Sequence, residues 1–190
     1  KGFNMISIWK NNLSKISISN PIEFKSRKAF TELWDWMVKA KYNGACHDSS
    51  IVLFILFTEL GLSSELCIGE TQLESGVITD HSWVESDGLI TDIAISMPNN
   101  PNHYHAPLFF GKSLAGGRVT CTYGKKHEGL SIESLYISKQ NIGQYLSMHP
   151  WGEDFIFKKT KDIGKTIGLN LTIPKLKLKY SEVKRAYKLA

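Results

Sequence analysis

The spacing of apolar residues predicts two helices in the first third of the chain. From Ser26 onward, apolar positions recur at intervals of three and four residues, at Phe30, Leu33, Trp34, Met37 and Val38. Ser26 suits the N-cap of this helix, and the turn residues at 42–44 suit its end. The next segment, 46–60, is apolar on nearly every side from Ile51 on, with Gly61 as a stop. A helix of that composition lies buried in the middle of a domain.

Alternation of apolar and polar residues, bounded by turn residues, predicts strands after Gly61. Three such segments are 65–73, 78–85 and 89–96. Asp87-Gly88 between the last two is a strong signal for a tight hairpin. Together these elements predict an α+β fold in which a buried central helix packs on an antiparallel sheet.

Weaker patterns complete the prediction. Residues 97–117 hold three prolines and three glycines, which indicates a long irregular loop of the kind that often forms a lid or a binding edge. Residues 118–123 and 130–138 have strand patterns, and 140–148 a helical one. Alternation also predicts strands for ISIWKNNLSKISIS near the start and for KLKLKY near the end, and SEVKRAYKLA is predicted to be helical.

Composition places the chain among globular proteins with a hydrophobic core. It has 190 residues, of which 42% are hydrophobic and 22% charged. The longest apolar run, 51–57, is far shorter than the roughly 18 residues of a membrane span. Three cysteines without tight spacing argue against a disulfide framework, so we expect a reducing, cytoplasmic site of action.

Positive charge is concentrated at the C-terminal end. The net charge is +5, and residues 158–190 alone contain ten basic and two acidic residues. We therefore divide the chain into a domain, 1–157, and a basic extension, 158–190, packed on it. The extension could bind an acidic partner, or its lysines could line a solvated strand edge. No nucleic-acid motif accompanies it, so nucleic acid is an unlikely partner.

Cys46 is placed where a thiol gains nucleophilic character. The macrodipole and the free N–H groups of a helix N-terminus both favour the thiolate. The backbone N–H of Cys46 would also point at the oxygen of a substrate carbonyl, and the small Gly44 and Ala45 leave room for a substrate backbone. The alternative is a cysteine that only packs at the start of a helix.

The predicted hairpin supplies a base and an orienting group. With Asp87-Gly88 as the turn, His81 faces Ala94, and Asp92 projects from the same face as His81. Their diagonal separation of roughly 7–8 Å is one that a His and an Asp side chain can bridge. Trp83 falls on the same face and could cover the pair from water. A register slip of one residue would separate His81 from Asp92.

The passages Y-N-G-A-C and H-S-W-V-E-S-D-G-x-x-x-D resemble the transglutaminase-like superfamily of papain-like cysteine enzymes, over roughly residues 42–95. The resemblance implies a papain-like core in which Cys46 is the nucleophile, His81 the general base and acid, and Asp92 the group that orients the imidazole. It also suggests Tyr42 or Asn43 as a second oxyanion donor, although Asn43 could instead cap the helix.

The same resemblance implies a thioester acyl-enzyme formed on a protein or peptide amide. Hydrolysis of the acyl group is favoured, and transfer to an amine is the alternative. No cofactor is expected. No metal is expected either, because consecutive helical residues such as Cys46, His47 and Asp48 point about 100° apart and cannot easily bind one ion together. His103 and His105 in the long loop are expected near the cleft.

Two further hypotheses stay open at this point. The chain begins at Lys1 rather than Met, so it could be an effector or toxin domain of a larger secreted polypeptide that uses the same triad. It could also be a non-catalytic interaction module that works through its basic tail and long loop. The second hypothesis predicts an unreactive Cys46.

Overall fold

The computed structural model of the chain describes residues 2–189. Its first half contains the helices α1 (Gly2–Lys15), α2 (Pro21–Ala40) and α3 (Cys46–Glu59), followed by the strands β1 (Ser64–Gln72), β2 (Ile78–Ser86) and β3 (Leu89–Thr91). Its second half contains β4 (Leu108–Phe109), β5 (Lys112–Ser113), β6 (Thr122–Tyr123), α4 (Ile132–Lys139), α5 (Ile142–Ser147), α6 (Phe155–Thr166), α7 (Ile173–Tyr180) and β7 (Ala186–Tyr187). Short 3-10 turns lie at Ala94–Ser96 and Pro101–His103.

The central helix α3 begins at Cys46 as predicted and is surrounded by the fold. Its residues 48–57 are all buried, and it packs against β1 and β2 on one side and α2 and α6 on the other. The α+β class, with a buried helix beside a mainly antiparallel sheet, is thereby confirmed.

The sheet runs in the order β3-β2-β1-β6, and β7 pairs in parallel with β1. The β2–β3 hairpin has the predicted register, with Val84 opposite Thr91 and Ser86 opposite Leu89. The prediction that this strand continues to residue 96 is wrong. Asp92 leaves the ladder because its N–H and C=O exchange hydrogen bonds with Leu108, at 2.9 and 3.0 Å.

The N-terminal segment predicted as a strand is the helix α1. Ile6, Trp9, Leu13 and Ile16 pack on the main core, and their spacing of three and four residues is helical. The helix α2 also begins earlier than predicted, at Pro21. Asn20 caps it by accepting a hydrogen bond from the Glu23 N–H at 2.9 Å. Ser26, the predicted N-cap, is buried inside this helix.

The loop after residue 97 contains short ordered pieces. Residues 97–117 hold a 3-10 turn and the β4–β5 hairpin, and the strand predicted at 118–123 is confined to Thr122–Tyr123. The strand predicted at 130–138 is instead the helix α4, whose N-cap Ser131 accepts from the Ser134 N–H. The helix predicted at 140–148 is observed as α5, with a capping box formed by Asn141 and Gln144.

The basic segment differs most from its prediction. KLKLKY lies in the helix α7, because Leu176 and Tyr180, one helical turn apart, are buried while Leu178 is exposed. Of the predicted helix SEVKRAYKLA, residues 181–189 form a turn followed by β7, and Ala190 lies outside the described residues. The boundary predicted after residue 157 falls inside α6, which packs against α3. No helix in residues 2–189 combines the length and apolar character needed to cross a bilayer.

Candidate active site

Cys46 occupies the first turn of α3 and is half-buried. The N-cap residue, Ala45, makes no side-chain hydrogen bond to this turn. Gly44 precedes it with φ +67°, a left-handed conformation that suits glycine. The Gly44 N–H is held by the Met97 carbonyl at 2.8 Å. The chain is thus turned so that a thiol and open N–H groups meet at one helix end.

The structure brings His81 and Asp92 together. The His81 Nε2 lies 2.7 Å from the Asp92 Oδ2, and both side chains are buried. Asp92 also accepts a hydrogen bond from the Ile95 N–H, at 3.3 Å to Oδ1. A carboxylate held at its backbone and at both oxygens fixes the orientation of the imidazole ring.

The Cys46 side chain lies near His81, because both residues line the same cleft and Cys46 contributes to the electrostatic environment of the ring. Because the His81 Nε2 contacts Asp92, Nδ1 is the ring nitrogen left to act on the thiol. Burial lowers the pKa of His81, but the Asp92 carboxylate and the Cys46 side chain outweigh burial and raise it to about 10. The ring is therefore a cation at neutral pH, placed between a carboxylate and a thiol.

Tyr123 completes this arrangement and was missed by sequence reasoning. Its hydroxyl donates to the Asp92 Oδ2 at 2.8 Å, and its ring lies 6.3 Å from the His81 ring. The ring of Trp83 packs on Tyr123 at 5.1 Å and is almost fully buried. Trp83 therefore supports the residue that covers the pair. Tyr123 belongs to a two-residue strand, and no local pattern marks it.

A cleft of about 270 Å³ opens beside Cys46 and His81. Its polar lining includes Asp80, Asn99, Asn100 and His103. Asn99 packs directly over Gly44, since a Cβ atom there would lie 2.3 Å from the Asn99 Oδ1. His103 is one of the lining residues, whereas His105 is not. The ring nitrogens of His105 instead contact the Ala106 carbonyl and the Thr120 hydroxyl.

The two residues suggested as oxyanion donors lie outside this lining. Asn43 is exposed in the turn before α3 and does not cap the helix. Tyr42 points away from the cleft, and its hydroxyl donates to the Asp48 carboxylate. Burial, followed by the charge of Asp48, raises the pKa of Tyr42.

Asp48 is the centre of a second buried polar cluster. Besides Tyr42, it accepts a hydrogen bond from the Tyr145 hydroxyl at 2.9 Å and contacts the His149 Nε2 at 3.2 Å. The ring of His149 is stacked on Phe155, with centroids 5.2 Å apart. Because Asp48 is two residues after Cys46, this cluster anchors the helix turn that carries the thiol.

His47, between Cys46 and Asp48, is held as a neutral side chain. Its Nδ1 lies 2.7 Å from the Ser82 hydroxyl. Burial and then the charges of Arg185 and His81 lower the pKa of His47 to about 3. His47 therefore adds no charge to the site at neutral pH.

One group in residues 2–189 has three possible metal ligands within 4.8 Å of one another, formed by Glu65, Cys67 and Glu85. The Lys188 ammonium already pairs with both carboxylates. This trio lies on β1 and β2 and shares no residue with the cleft.

Comparison of the chain with protein-family models, with curated proteins and with solved structures finds no match.

Proposed function

We propose that this protein is a cysteine enzyme that forms a thioester acyl-enzyme on a protein or peptide amide, on a papain-like, transglutaminase-like core. The observation that carries the proposal is the buried His81–Asp92 pair, with Nε2 and Oδ2 2.7 Å apart, at the same cleft as Cys46. A nucleophile, a base within hydrogen-bond reach and a third group that orients the base are what covalent acyl transfer requires.

The first half of the reaction uses the thiolate and the imidazolium. The Cys46 sulfur attacks the amide carbonyl, and the negative charge that develops on oxygen faces the N–H groups of the first α3 turn. Protonated His81 gives its Nδ1 proton to the departing nitrogen as the carbon–nitrogen bond breaks. The products of this step are a thioester on Cys46, a free amine and a neutral imidazole that remains bound to Asp92.

The second half regenerates the site. Neutral His81 takes a proton from a water molecule that attacks the thioester carbonyl. The carbon–sulfur bond then breaks, which releases the acid product and regenerates the Cys46 thiolate. An amine in place of water would give transamidation by the same steps. We place hydrolysis first, because no residues of this cleft can be assigned to a dedicated amine or acyl-carrier site.

The proposal is tested first by the reactivity of Cys46. Iodoacetamide labelling followed by peptide mass spectrometry gives the rate at each cysteine between pH 5 and 9. Cys67 and Cys121 are internal references, because burial raises the pKa of both thiols, that of Cys121 to about 11. Rapid labelling of Cys46 at pH 6 is expected, with a loss of at least tenfold in His81→Ala.

The matched control is His103→Ala, which removes a histidine from the same cleft. Labelling should stay close to wild type in that variant. Wild-type Cys46 that labels as slowly as the two buried thiols would refute the proposal. A positive result leads to a peptide library, in which cleavage products or amine adducts, absent with Cys46→Ala, distinguish hydrolysis from transfer.

A further inference from the structure

Arg185 is a buried cation with few partners. Its side chain is 5% exposed. Among the described residues, Nε and Nη1 have no hydrogen-bond partner, and Nη2 makes one 3.4 Å bond to the His47 carbonyl. The guanidinium carbon lies 4.7 Å from the centre of the Tyr145 ring. A buried charge is costly unless another charge compensates it.

The guanidinium lies against the Tyr145 ring and the start of α3, and its charge interacts with four titratable side chains, namely Tyr145, Cys46, Asp48 and His47. Tyr145 is a neutral phenol, since burial and Asp48 raise its pKa. His47 is neutral because its pKa is lowered to about 3. The Asp48 carboxyl group is already held by two hydroxyls and an imidazole. Cys46 is the remaining group, and its thiolate would supply the missing negative charge.

We propose that Arg185 is an electrostatic positioning residue for Cys46. Its guanidinium stabilises the thiolate and, through the His47 carbonyl, holds the helix turn that carries the sulfur. The inference rests on the proposed function and adds to it a second cation, besides His81, near the nucleophile. One residue of the basic segment 158–190 would thereby act directly on the candidate site.

The test compares wild type with three variants by iodoacetamide labelling of Cys46 between pH 5 and 9. Arg185→Met removes the charge and keeps the bulk, and Arg185→Lys keeps the charge. Lys184→Met removes the neighbouring charge, which is exposed. Arg185→Met should move the rate profile to higher pH, with labelling about tenfold slower at pH 6 and close to wild type at pH 9.

Arg185→Lys should retain most of the low-pH rate, and Lys184→Met all of it. A profile that does not move in Arg185→Met would overturn the inference, as would equal slowing of both Arg185 variants at every pH, which indicates packing alone. If circular dichroism shows that Arg185→Met is unfolded, Arg185→Gln replaces it with the same expected shift. Slow labelling of wild type itself contradicts the proposed function, and the inference with it.

Discussion

Replacing Asp92 by Asn tests the ion pair between Asp92 and His81. Its expected effect depends on pH, which distinguishes the loss of the ion pair from a change in packing. The change keeps the size of the side chain and removes the charge opposite His81. The amide oxygen can still accept hydrogen bonds from His81 and Tyr123, but the NH₂ group must then face the Ile95 N–H, which is also a donor. His81 loses the main cause of its raised pKa and becomes a neutral ring.

The magnitude follows from that pKa. The pKa of His81 is about 10 in the folded protein, compared with an ordinary value of 6.5. At about 1.4 kcal/mol per pKa unit, this shift gives an upper limit of about 5 kcal/mol for the stabilisation by the ion pair. Removing one partner of a buried ion pair generally costs about 3–5 kcal/mol. The raised pKa belongs to a base, so this stabilisation is fully present below pH 6.5 and disappears as pH rises through about 10.

The assay is urea unfolding of wild type and Asp92→Asn at pH 6, 8 and 10.5. We expect a loss of about 3–5 kcal/mol in the free energy of unfolding at pH 6. At pH 10.5 the loss should shrink to the roughly 1 kcal/mol of a hydrogen bond. Asp80→Asn, which removes the partly exposed carboxylate beside His81, is the control and should show a small difference at each pH. A loss in Asp92→Asn that is the same at pH 6 and pH 10.5 would refute the ion pair.

Three further predictions concern the surroundings of the site. Gly44→Ala should lower the free energy of unfolding by about 1–2 kcal/mol, because alanine is strained at positive φ and its Cβ displaces the Asn99 side chain; thermal unfolding checks this, and an unchanged Tm would contradict it. Because His47 stays neutral in the folded protein, this residue should lower the free energy of unfolding of wild type by about 1.4 kcal/mol for each pH unit below 6.5. The free energy of unfolding should fall less steeply with pH in His47→Asn, and equal slopes in the two proteins would argue against a neutral His47. The Glu70 carboxylate accepts backbone N–H groups of the loop at 127–129, which lower its pKa against the effect of burial. Glu70→Gln should therefore cost about 1–3 kcal/mol at pH 7 and less below pH 4.5, and an unchanged urea midpoint at pH 7 would contradict this role.

The elements that were predicted from sequence are those with strong local signals. The helix α3 is apolar on nearly all sides, which few other structures can accommodate. Asp87-Gly88 fixes the hairpin register, since both residues adopt positive φ, at 50° and 76°. The hairpin signal was enough to predict that His81 and Asp92 lie close together.

The failures have physical reasons as well. Alternating lysines in KLKLKY match a strand, but they match equally well a short helix whose buried face needs only Leu176 and Tyr180. The end of β3 depends on the pairing of Asp92 with Leu108, which lies in a segment without a pattern of its own. Tyr123 and Arg185 reach the site through tertiary contacts made far from the motif, so no spacing in the sequence indicates them.

The position of Arg185 along the chain has a consequence for the newly made protein. Asp92, the last of the three motif residues to be synthesised, precedes Arg185 by about 90 residues, a delay of about 5–20 s at usual rates of translation. During that interval β1 also lacks β7, its parallel neighbour. A nascent chain therefore carries the complete motif without this buried cation. On the proposed role of Arg185, Cys46 would reach its full reactivity only after the segment that contains Arg185 and β7 has docked.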